Sequence, residues 1–194
     1  MNYGAHLSNL IAIIVGLAIT ELLAGASRTL KRKGEPGFSW LPFVQAVMIG
    51  TILLIFWIAS YVELSSGKYL GIVPYTTQLI APALLYFAST RVFPSADGDA
   101  DLSVHRHAVA NARDVNFPPA MWMVFTIGRN LFYFWPNWEG PLGPNALCLF
   151  AAATLLVAAL THNDRVRWAA TLLTEAIVLA FIIIYLGNAV PSGG

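Results

Sequence analysis

Glu21, Arg129 and Glu175 are the ionisable side chains that fall inside long apolar runs of this sequence. A charge at bilayer depth costs about 3 kcal/mol on insertion scales, and it persists where it pairs with another charge or lies on an ion or proton path. Helix rise sets the depths. Glu21 lies seven residues before Arg28 and Glu175 eight residues after Arg167, so the two carboxylates sit about 10 and 12 Å inside the same boundary. Arg129 is ten residues beyond Pro119, about 15 Å in, and its guanidinium can reach toward either glutamate as a bidentate partner. Two carboxylates against one guanidinium leave an excess negative charge that a shared proton relieves. The three residues therefore read as an ion or proton site. Thr20, Gln78, Asn130 and Thr174 are candidates for a polar path beside it, with Gln45 and Thr51 adding further polar atoms. Each of these uncharged residues serves equally well to hold helices together, and a buried ion pair can do no more than fix helix register.

The elements that must position these residues are membrane helices. Of the 194 residues, 57% are hydrophobic and 11% charged, and the mean hydropathy is +0.65, where soluble domains carry about a quarter charged residues. Segments of about 17 to 25 apolar residues cross a bilayer as helices. The sequence offers six: 8–27, 40–61, 70–91, 119–135, 142–161 and 168–187. The expected fold is all-α, a polytopic membrane helical bundle of six transmembrane helices forming one domain over 1–194. Arg28, Lys31, Arg32, Lys33, Arg91, Arg106, Arg113, Arg165 and Arg167 fall after the first, third and fifth segments, and Lys68 alone falls on the opposite side. The positive-inside rule then puts both termini outside and the basic loops in the cytoplasm. Ala24-Gly25-Ala26 has the look of a signal cleavage site, but no basic residue precedes the apolar run, so it reads as a membrane helix.

The connection 92–118 is cytoplasmic on this reading, with a short interfacial helix from Asp101 to Val115. Asp97, Asp99 and Asp101 alternate as in a calcium loop, yet the sixth and twelfth positions hold Leu102 and Ala108 where glycine and glutamate are needed. This is a solvated acidic turn. His105 and His107 have no third ligand nearby and read as surface histidines, so no metal and no cofactor is expected. Cys148 is the lone cysteine and reads as a small buried apolar residue. Pro74 and Pro82 kink the third segment. The run Ala151 to Ala153 with Ala158 and Ala159 lets other helices approach the fifth, within the subunit or, as a homo-oligomer or with a partner membrane subunit, through 142–161. Three segments on either side of a long connection suggest an inverted repeat, supported only by Thr20-Glu21 and Thr174-Glu175.

Catalysis finds little footing. The chain has four scattered histidines, and no Gly-x-Ser-x-Gly elbow, HExxH helix or phosphate-binding glycine loop. A pI near 7.9 gives no attraction to nucleic acid, and Lys31-Arg32-Lys33 suits anionic headgroups of the lipid bilayer. The stretch GLAITELLAGASR, residues 16–28, followed by KRK, resembles the start of a set of small bacterial polytopic membrane proteins. The resemblance implies a bacterial inner membrane and no particular activity. Two functions stand: an integral membrane transport protein, channel or carrier, working through Glu21, Glu175 and Arg129, and a non-catalytic scaffold or accessory subunit of a larger membrane complex.

Overall fold

A computed structural model describes residues 3–65, 72–95, 103–134 and 142–186, and among these there is no strand. Seven α-helices follow one another: α1 (Tyr3–Leu30), α2 (Leu41–Ser65), α3 (Ile72–Val92), α4 (Val104–Ala110), α5 (Ala112–Phe134), α6 (Leu142–Leu160) and α7 (Asp164–Phe181), the last continuing into a π-helical turn, Ile182–Leu186. Among the described residues three stretches are long and apolar enough to cross a membrane: His6–Leu30, Leu41–Tyr61 and Asp164–Ile184. The expectation of six is corrected to that number. Helix α5 carries Arg113, Asp114, Asn116, Arg129 and Asn130 along its length. Helix α3 opens on Pro74, Thr76, Thr77 and Gln78, and the apolar part of α6, Asn145–Leu160, is shorter than the other three stretches.

The connection after α3 is also shorter than the sequence implies. Only Val104–Ala110 forms the separate helix, and α5 begins at Ala112, taking Asn116, Pro118 and Pro119 into its own body. Each of these prolines deletes one intrahelical donor. Packing of α5 on α3 and α6 holds the helix across that gap. Pro82 lies inside α3 as expected, whereas Pro74 falls in the first turn, where a missing N–H costs nothing.

The long helices close into a ring. Helix α1 packs on α2 and α3, α3 on α5, α5 on α6, α6 on α7, and α7 returns to α2. Burial follows helical spacing: Leu7, Ile11, Val15, Ala18, Leu22 and Gly25 of α1 face the neighbours, and Leu10, Ile13, Leu17 and Leu23 face outward. Gly25 is required at its position. A Cβ there would stand 2.6 Å from the Phe93 ring, so the glycine is what lets the end of α3 close on α1. Helix α2 is the most enclosed, with Met48, Ile49, Ile52 and Leu53 all at 1% exposure or less.

The loops that carry the basic residues meet at one end of the bundle. The turn between α1 and α2 passes through Gly34 and Gly37, both with positive φ, and the Gly37 carbonyl accepts from the His105 amide at 2.9 Å. Ser103 caps α4 by accepting from the Arg106 amide. His107 is buried rather than on the surface, as its neighbours require: Nε2 lies 3.1 Å from the Arg91 carbonyl and Nδ1 3.3 Å from the Asn111 amide. The ring thus carries its proton on Nε2. His105 reaches the Asp164 carboxylate at 3.1 Å. These contacts bring the ends of α1, α3, α4 and α6–α7 together, the arrangement that antiparallel neighbours joined by short loops impose.

Candidate functional site

Glu21 finds its partner on its own helix. Arg28 Nη2 donates to Glu21 Oε1 at 3.4 Å across two turns of α1, and both side chains are 42% exposed. The pair lies on the outer face of the bundle. Thr20 beside it donates to the Gly16 carbonyl at 2.8 Å, the local bond that a threonine makes inside a helix, and it is likewise exposed.

Glu175 has different surroundings. It projects from α7 toward α2, where the Thr51 hydroxyl lies 3.5 Å from Oε1, and Oε2 is buried with no hydrogen-bond partner. Among the described residues no basic side chain pairs with it. The Thr51 hydroxyl is committed more closely to the Val47 carbonyl, at 2.8 Å, so it gives the carboxylate little. Gly50, the preceding residue, turns toward Leu22 of α1. Helix α2 therefore stands between α1 and α7, with Glu21 and Glu175 in separate settings. The side chain of Arg129 lies outside the described residues.

Of the four polar-path candidates, the structure brings Gln78 and Asn130 to a common chamber. Thr174 instead is fully buried in the seam between α6 and α7, sharing a 2.7 Å hydrogen bond with Thr154 and donating to the Ala170 carbonyl. The chamber is a cavity of about 260 Å³ inside the ring, at the end away from the basic loops, bounded by α2, α3, α5, α6 and α7. Ile55 and Phe56, Trp122 and Met123, and Val178 and Phe181 form its apolar walls. Phe56 and Trp122 meet edge to face at 5.8 Å, an arrangement that suits the aromatic quadrupoles. Ser60 donates to Gln78 at 2.7 Å and Asn130 to Asn145 at 3.0 Å, tying α2 to α3 and α5 to α6 around the chamber. Thr126 and Cys148 line it as well.

Two features of this interior were missed by sequence reasoning. The chamber depends on which sides of five helices turn inward, and on their bulk, neither of which hydropathy reports. The second is Arg167. Counted by sequence among the loop cations, it is 3% exposed. Its Nη2 donates to the Thr161 carbonyl at 2.6 Å, Nε to the Ala158 carbonyl at 3.4 Å and Nη1 to Asp164 at 2.8 Å. The guanidinium closes the C-terminal end of α6, taking up one carbonyl in its last turn and one just beyond it, where backbone acceptors have no partners within the helix. The signal was present in Asn163-Asp164-x-x-Arg167: Asn163 accepts from the Arg165 and Val166 amides as N-cap of α7, and an arginine in the first turn then folds back over the preceding helix end. Among the described residues no group of three or more His, Cys, Asp or Glu could hold a metal. Compared with known protein families, curated proteins and solved structures, the chain matches none.

Proposed function

We propose that the chain is an integral membrane transport protein, a channel or carrier for protons or a small cation, in which Glu175 is the carrier of charge. The observation behind this reading is the Glu175 carboxylate: one oxygen weakly held by Thr51 and the other buried without a partner. A buried acceptor left unsatisfied is costly, and on a carboxylate a proton or a bound cation removes that cost. Three apolar helices of membrane-crossing length support a bilayer setting, with α3, α5 and α6 completing the bundle beside them. Nine basic residues on one side support the orientation with that end in the cytoplasm, in a bacterial inner membrane. The scaffold reading has less behind it. Ala151, Ala152, Ala158 and Ala159 are buried within the subunit, where α6 packs on α5 and α7, which leaves Leu149, Phe150, Val157 and Leu160 facing outward.

Purified protein in liposomes carrying a pH-sensitive dye, driven by a potassium diffusion potential, tests the reading. Proton or alkali-cation flux above that of empty vesicles is expected, and Glu175→Gln should lower it at least about tenfold, the loss of roughly 1.4 kcal/mol or more. Glu21→Gln should keep most of it, because Glu21 is paired and exposed. Equal flux in wild type and Glu175→Gln, or none above empty vesicles, discards the proposal.

A further inference from the structure

The chamber has a chemistry that the carboxylates do not use. Among the described residues no acidic, basic or histidine side chain lines it, so an ion placed there would lose its hydration without gaining a counter-charge from them. An apolar cavity of roughly 150 Å³ holds benzene, and at about 260 Å³ this one takes about ten non-hydrogen atoms by the same proportion.

The polar side chains select the rest. The Gln78 and Asn145 side-chain carbonyls accept from Ser60 and Asn130, so protein donors reach both. The Thr126 hydroxyl and Asn145 Nδ2 make no hydrogen bond among the described residues. Other helical threonines are committed locally. Thr20, Thr51, Thr154, Thr171 and Thr174 each donate to a carbonyl three or four residues back. Thr126 precedes Asn130 by one turn and so shares its face of α5, and Asn130 is bonded to Asn145. Two uncommitted donors therefore converge on one side of an apolar space walled by Phe56, Trp122 and Phe181. We infer that the chamber binds an uncharged molecule the size of a single substituted ring, with an acceptor oxygen such as a ketone held by Thr126 and Asn145 and its apolar body against the aromatic wall.

Cys148 lines the chamber and is the one cysteine of the chain, so its modification by methyl methanethiosulfonate in detergent-purified protein reads occupancy. The probe is acetophenone. At about ten times its half-protecting concentration it should slow the modification about tenfold. Ethylbenzene, which lacks the oxygen, should need about tenfold more for the same effect, as should acetophenone with Thr126→Val, the loss expected for one hydrogen bond. Benzoate should not protect. Quenching of Trp122 by acetophenone, taken as the difference from Trp122→Phe, should follow the same concentrations and reads the site independently of thiol reactivity. Protection by benzoate equal to that by acetophenone overturns the inference. So does an unchanged half-protecting concentration in both Thr126→Val and Asn145→Leu, equal potency of ethylbenzene, or the absence of both protection and Trp122 quenching. Neither readout requires a gradient, and Glu175→Gln should leave both unchanged, so a failure of the transport reading shows separately.

Discussion

At the basic end of the bundle Arg167, His107 and Ser39 are sunk below the surface and their polar atoms are answered by carbonyls, a carboxylate and amides. At the far end the helices stand apart around a chamber where, among the described residues, Thr126 and one Asn145 donor are unanswered. Both ends contain buried polar groups, so polarity does not distinguish them. Commitment does. Satisfied polar groups in a low-dielectric interior fix geometry, and uncommitted ones are available to something else. The basic end is thus the part that holds the helices in register, and the chamber end is the part with recognition capacity to spare.

The comparison can be broken most directly at Arg167. Arg167→Leu leaves the Ala158 and Thr161 carbonyls without the guanidinium and takes from Asp164 a partner other than His105, and should lower stability by about 3 kcal/mol, read as a fall in the detergent melting temperature and early loss of helix α6. A loss under about 1 kcal/mol would place the register elsewhere. Gln45 sharpens the contrast from the other side. It is fully buried near the basic end, with neither amide atom bonded, an exception to the rule of that end. Gln45→Leu should raise stability by about 1 kcal/mol, and a fall of that size in the same melting assay would mean that the amide has a partner. The smallest effect belongs to Glu21. Glu21→Gln removes a half-exposed ion pair within one helix and should shift stability by less than about 0.5 kcal/mol. A larger shift by thermal melting would show that the α1 pair is structural after all.

Helix content and its order were legible in the sequence, because apolar runs and their basic flanks are properties of consecutive residues. Helix α1 shows how far this goes. Its apolar run marks the helix, but a helix that extends to Leu30 brings Arg28 within two turns of Glu21 on the same outer face, and a local partner then displaces the distant one that depth alone suggests. Depth along the membrane normal is one coordinate of three. Equal depth placed Glu21 and Glu175 together, while α2 stands between their helices. Gln78 and Asn130 were recognised as polar residues within spans, and both do reach the chamber. Their companions Thr126, Asn145 and Cys148 were not grouped with them, since no spacing along the chain links residues on α5 and α6 across a turn. Asn116 and the paired prolines after it read as connection because proline disfavours a helix interior. The neighbours of α5 supply the packing that outweighs that local preference.

The ring closes between its second and its last long helix, where Thr51 meets Glu175 across 124 positions of sequence. A nascent chain completes α2 long before α7 exists, and until then the flank of α2 that carries Thr51 is uncovered. In the membrane setting proposed above, the chain enters the bilayer as an open arc of helices, and the ring closes only when the final segment arrives. Truncation anywhere before α7 would leave that flank of α2 uncovered permanently.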